Sequence, residues 1–168
     1  MKKLILLTIF VLPNMAFAGF NLNPSFGIYK SNTENNNSQI ELRLGYTFDM
    51  GVFVGGFYTL ASDKFIDDSD EYYLGPIVGY QWNGLYGLAG YVASSAQDMK
   101  SGGTKYSSGE GYQATIGYRM LVAEDMYLGP ELEWRNVKYS SKEIQGVGAP
   151  TSRKDTVIIP SIAVNFVF

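Results

Sequence analysis

The 168-residue chain contains no cysteine and no histidine, carries 16 acidic against 13 basic side chains, and is rich in glycine (19), tyrosine (13) and phenylalanine (10). The acidic balance argues against nucleic acid as a partner. The missing cysteines exclude disulfides and thiolate metal sites, and the missing histidines exclude the serine–histidine arrangement of acyl-transfer enzymes.

Met1-Lys2-Lys3, the apolar run Leu4 to Leu12 and the small residues around Ala16-Phe17-Ala18 have the layout of a secretory signal peptide. Cleavage after Ala18 is expected, with residues 19–168 forming one domain. Without Lys2 and Lys3 the balance becomes 11 basic to 16 acidic residues, a net charge of about −5. No later stretch has the continuous apolar run of a membrane helix, so any insertion must use alternating strands.

The remainder alternates with period two, which puts successive side chains on opposite faces of a strand. The first strand carries Leu22, Pro24, Phe26 and Ile28 on one face, and Lys30 to Ser38 follows as a polar loop. The second carries Ile40, Leu42, Leu44, Tyr46 and Phe48, opposed by Glu41, Arg43, Gly45 and Thr47. After the turn Asp49-Met50-Gly51 a third strand runs Val52 to Ala61; Val52/Val54 and Phe53/Phe57 compete for its apolar face, and both facings stay open. Ser62 to Glu71 is a second long polar connection.

The fourth strand, Tyr72 to Trp82, aligns Leu74, Pro76, Val78, Tyr80 and Trp82. Asn83-Gly84 then predicts a two-residue hairpin, since both positions favour positive φ, and it sets Trp82 against Leu85, Tyr80 against Gly87 and Val78 against Ala89. The fifth strand ends near Ala93, and Ser94 to Gly111 reads as the third long loop. A sixth strand places Tyr112, Ala114, Ile116, Tyr118, Met120 and Val122 on one face against Gln113, Thr115, Gly117 and Arg119. Beyond Ala123-Glu124-Asp125, the seventh sets Met126, Leu128, Pro130, Leu132 and Trp134 against Tyr127, Gly129, Glu131, Glu133 and Arg135. Ser140 to Asp155 is the fourth long loop. The last strand runs Thr156 to Phe168, with Ile158, Pro160, Ile162, Val164, Phe166 and Phe168 in one row.

Eight strands joined alternately by long and short connections fit an antiparallel up-and-down barrel, whose interior is just wide enough to be filled by side chains. Periodicity alone also allows a soluble lipocalin-like binder with the apolar row turned inward. The minority row decides against it. Its charges, Glu41, Arg43, Arg119, Glu131, Glu133 and Arg135, are too sparse for a soluble surface, yet three Glu and three Arg can neutralise one another inside a lumen.

The signal-like start, the loop alternation, the inward ionic set and the terminal Phe168 together resemble the small eight-stranded outer-membrane β-barrels, the OmpA transmembrane domain, OmpX and OmpW-like barrels of the Gram-negative envelope. The resemblance implies a porin-like transmembrane architecture in the outer membrane, and a C-terminal assembly signal at Ile162, Val164, Phe166 and Phe168 read by the insertion machinery. It implies interface aromatics at Tyr46, Phe48, Trp82 and Trp134, and surroundings of membrane lipid and lipopolysaccharide. With Phe168 as its last residue, the chain is expected to lack the peptidoglycan-binding domain of full OmpA proteins. The expected function is non-enzymatic, without cofactor or metal, in a monomer whose plugged lumen leaves envelope integrity, adhesion or surface contact to the long loops. Against it stand a small channel or lateral conduit for hydrophobic or small solutes, as in OmpW-like barrels, and, second, a soluble periplasmic lipocalin-like binder.

Two charged clusters have a second reading. Asp67, Asp68, Asp70 and Glu71 lack the glycine and spacing of a calcium loop and read as solvated. Arg153 and Lys154, with Lys138 and Lys142 nearby, suit either solubility or contact with lipid phosphates.

Overall fold

The computed structural model describes residues 18–30, 36–63, 69–99 and 103–168. The predicted signal peptide, apart from Ala18, lies outside them, as do Asp67 and Asp68. The strands are β1 (Gly19–Lys30), β2 (Asn36–Thr47), β3 (Val52–Asp63), β4 (Ser69–Trp82), β5 (Leu85–Val92), β6 (Ser94–Met99), β7 (Thr104–Tyr118), β8 (Met120–Ala123), β9 (Met126–Ile144) and β10 (Val147–Val167). All pairings are antiparallel, and β1 pairs with both β2 and β10, closing the sheet into a ring.

The ten segments fill eight positions in that ring. β5 and β6 share one, pairing with β4 on one side and β7 on the other. β7 and β8 share another beside β9. The first break is a one-residue slip at Ala93: the ladder of β4 runs from Trp82↔Leu85 to Ile77↔Gly90 and resumes at Leu74↔Ser94. The second is Arg119, whose N–H donates to Gly84 O at 2.7 Å rather than into the ladder.

Turn chemistry fixes the start of the β4–β5 register. Asn83 (φ 48°) and Gly84 (φ 83°) both sit in the left-handed region, as a tight hairpin of this kind requires. At the seam, β1 and β10 pair at Asn21↔Val167 and Leu22↔Phe166 and resume at Ser25↔Ala163. Pro24, with no N–H to give, lies in the interruption.

Alternation sorts the two faces. In β2 the odd positions Gln39, Glu41 and Arg43 are buried while Ile40, Leu42, Leu44 and Tyr46 are exposed. β3, whose facing the sequence leaves open, turns Phe53, Phe57, Thr59 and Ala61 inward and Val54, Tyr58 and Leu60 outward. The outward rows form an apolar band, which suits acyl chains rather than water. Inside, Phe53, Phe57, Ile77, Tyr86, Leu88 and Val92 make an apolar cluster on the β3–β5 wall, extended to β9 by Val137 and Tyr139.

Two expected loops are mostly strand. Ser94–Gly111 becomes β6, a short connection and the first half of β7. Ser140–Asp155 becomes a hairpin that turns at Gln145 (φ 50°) and Gly146 (φ 85°). The reason is physical: beyond the apolar band a strand meets water on both faces, so nothing in the sequence forces an apolar row there. The short connections Phe48–Gly51, Asn83–Gly84 and Glu124–Asp125 lie at the end that carries the termini, and β9–β10 project furthest at the other.

Candidate functional site: the lumen and its mouth

All six ionic residues expected inside are buried there, on β2, β9 and the β7–β8 break. Strand parity alone places them. Arg43 is the centre: its Nη1 and Nη2 donate to the two oxygens of Glu131 at 2.7 and 2.9 Å, and its Nε donates to Glu41. Both partners, like Arg43, have fully buried side chains. Glu41 also accepts from Thr59 Oγ1 at 2.7 Å, and Glu131 accepts from the Tyr86 hydroxyl at 2.6 Å. β2 and β9 are not neighbours, since β1 and β10 lie between them in the ring, so the Arg43–Glu131 fork spans the lumen.

A second tier lies towards the far end. Arg135 faces Glu133 at 3.3 Å, and Gln39 links the two, giving Nε2 to Glu133 at 3.1 Å and accepting from Arg135 Nη2 at 2.9 Å. The Arg135 guanidinium lies 3.9 Å from the centre of the Tyr73 ring. Stacking of this kind suits the weakly hydrated Arg face.

Arg119 is held without a carboxylate among the described residues. The sequence places it a register step from Glu131, but Glu131 is held by Arg43. Arg119 instead stacks 4.0 Å over the Tyr86 ring and donates to Gln81 Oε1 at 3.2 Å. Asn23, with its amide turned to donate to Val164 O at 3.1 Å, sets its oxygen against Arg119 Nη2. Among the described residues no carboxylate is in ion-pair contact with it. Below, Asn165 donates to Asn21 Oδ1 at 3.2 Å and Asn21 to Thr47 Oγ1 at 2.9 Å, a neutral layer at the termini end.

The residues that composition did not single out are therefore the amides, hydroxyls and ring faces: Gln39, Gln81, Gln113, Thr59, Tyr73 and Tyr86. The available signal was parity, because each lies on the inward row of its strand.

At the mouth, Tyr29, Asn37, Glu71, Tyr73, Arg135, Val137, Asp155 and Val157 surround a cavity of about 10 Å³, room for about one water. Tyr73 and Gln97 both donate to Glu71. Above it Arg153 holds Asp155 through Nη2 at 3.1 Å and Nε at 3.2 Å, and lies 4.5 Å from the Tyr106 ring centre. Partial burial alone would lower the Arg153 pKa, but the Asp155 charge outweighs it and holds the guanidinium above its ordinary range. Among the described residues no group of three metal-ligating side chains converges.

The outward candidates divide by end. Tyr46 and Phe48 meet edge to face at 5.2 Å near the termini end, where half-buried Trp82 also lies, while Trp134 is at the far end of the band. In the last strand Ile162 and Phe168 are exposed, and Val164 and Phe166 are half-buried. Phe168 exchanges backbone hydrogen bonds with Phe20 at 2.9 and 3.1 Å, so the chain end is tied into the seam.

A ring of eight antiparallel strand positions, apolar outside and ionic inside, defines a transmembrane β-barrel of the outer-membrane class. Residues 4–159 match the family model of the outer membrane protein beta-barrel domain, and the chain belongs to that family of the bacterial outer membrane. The fold is similar to Neisserial surface protein A, with 12% identity, a TM-score of 0.62, and coverage of 90% of this chain and 97% of that one. It is also similar to the outer membrane protein AlkL solved in lipid bilayers, with 13% identity, a TM-score of 0.53, and coverage of 89% and 90%. At this identity both likenesses concern the fold. A search of curated proteins finds no significant match.

Proposed function

We propose that this is a non-enzymatic outer-membrane barrel whose lumen is sealed, and whose role in surface contact, adhesion or envelope integrity lies at its extracellular end. One observation carries the reading: Glu41, Arg43 and Glu131, fully buried and bonded to one another, lie across the barrel between its two ends. The bulky side chains of Phe57, Ile77, Arg135 and Glu133 fill the space around and above them. A conduit for small or hydrophobic solutes needs a continuous passage through that same space. Water entering it would have to break a charge-assisted network in a low-dielectric interior.

By the same reading the chain acts as a monomer, since closure at β1–β10 leaves the sheet no free edge within the band. The outward row of Ile162, Val164, Phe166 and Phe168 is proposed as the segment that the insertion machinery reads. Purified protein in planar bilayers tests the sealed lumen. Only brief, sparse current is expected; a steady, voltage-stable conductance would favour the channel.

A further inference from the structure

The four cations read together in the sequence separate in the structure. Arg153 and Lys142 face the mouth, 4.5 and 5.7 Å from the Tyr106 ring centre, and that ring lies 5.9 Å from buried Tyr139. Lys138 and Lys154 face outward, both exposed, and are direct cross-strand partners on β9 and β10. Like charges set opposite each other on adjacent strands repel. Among the described residues neither ammonium is in an ion pair. Glu110 on β7 is the direct cross-strand partner of Lys138 on its other side and accepts a hydrogen bond from the Tyr91 hydroxyl at 3.2 Å, so the exposed rung Glu110, Lys138, Lys154 keeps an excess of one positive charge.

What lies beneath the pair is equally specific. One rung down the same outward rows, Asn136 donates to Thr156 Oγ1; one further, exposed Trp134 lies opposite Ile158. Beside them Tyr112 and Tyr91 pack with ring centres 5.6 Å apart. The sequence of layers is apolar, aromatic, neutral polar, then net positive. Four residues along a tilted strand raise the lysines about 10 Å above the Trp134 level, into the head-group zone of a bilayer.

We propose that Lys138 and Lys154 form a site on the outer wall for the phosphate of a phosphorylated outer-leaflet glycolipid, the lipid A portion of lipopolysaccharide, with its acyl chains along Ile158, Trp134 and Tyr112. Glu110 supplies one negative charge to this rung and the phosphate supplies the second, on the Lys154 side. The depth and the apolar rows select a lipid rather than a soluble anion. This rests on the barrel's orientation, with the hairpin outside, and not on whether the lumen conducts.

The test uses purified protein folded in a neutral detergent and titrated with diphosphorylated lipid A, with the same lipid dephosphorylated, and with inorganic phosphate. The thermal unfolding midpoint is read from gel mobility. Diphosphorylated lipid A should raise the wild-type midpoint, and the half-saturating lipid concentration should rise about thirtyfold in Lys138→Gln/Lys154→Gln, each charge contributing about a factor of five. Lys142→Gln, facing the mouth, should respond as wild type does. Should the double variant fold poorly, the single Lys154→Gln and the dephosphorylated arm on wild type decide the matter. Equal stabilisation by dephosphorylated lipid, or an unshifted response in the variants, would overturn the proposal. Full stabilisation by inorganic phosphate alone would overturn the lipid assignment. An open lumen leaves every arm of this assay unchanged.

Discussion

Two arginine–carboxylate forks at different heights in the barrel use the same chemistry in different surroundings. In the lumen Arg43 holds Glu131 at 2.7 and 2.9 Å, with both side chains fully buried. At the mouth Arg153 holds Asp155 at 3.1 and 3.2 Å, with side chains 23% and 26% exposed. Geometry barely separates them; access to water does. A solvated pair gains little over its hydrated partners, whereas a buried pair has already given up its hydration and cannot lose one member without leaving the other uncompensated. The lumen fork therefore acts as a lock that is costly to open. The mouth fork orders a hairpin and can be removed at small cost.

The largest break in this contrast should come from Arg43→Met, which leaves both Glu41 and Glu131 without their cation. Urea unfolding in lipid vesicles should show a loss of about 3 to 5 kcal/mol. Glu131→Gln with Glu133→Gln should come next, at about 3 kcal/mol, since Arg43 keeps Glu41 while Arg135 keeps only Gln39 and the Tyr73 ring. The arginine stranded by this double change is Arg135, while Arg43 loses one of its two carboxylates; Arg119, already held by Gln81 and Tyr86, should be little affected.

Arg153→Ala should cost less than about 1 kcal/mol in the same assay. The chain end sharpens a different boundary. Replacing Phe168 by Asp should lower the folded, membrane-inserted yield in cells well below that of Val167→Thr, because Phe168 belongs to the outward row and Val167 to the inward one. Equal yields from the two would remove Phe168 as an assembly signal.

Much of the lumen was legible because the side-chain period of a strand is two: once Leu42 and Leu44 face lipid, Glu41 and Arg43 must face inward. Partner choice was not. Arg119 and Glu131 are close in register on adjacent strands, but the guanidinium that reaches Glu131 comes from β2, across the lumen, and no in-sheet register predicts that contact. The same holds for Gln39, which matters because its amide reaches Glu133 and Arg135 on β9 at once. The hairpin around Gln145-Gly146 is hidden in the sequence for a different reason. Its strands project beyond the apolar band, where polar residues on both faces leave Ser140, Lys142 and Ser152 looking like a loop. The four cations of that region could likewise be grouped but not sorted, because only cross-strand register separates Lys138 and Lys154 from Arg153 and Lys142.

A pair of double-mutant cycles run in parallel on Arg43/Glu131 and Arg153/Asp155, each with Met or Gln replacements and read by urea unfolding in the same vesicles, tests the sealed lumen most directly. The lumen pair should couple by about 3 kcal/mol and the mouth pair by less than about 1 kcal/mol. Equal, weak coupling in the two would mean that Arg43 and Glu131 are already solvated, and the lumen would then be a water-filled passage rather than a plug.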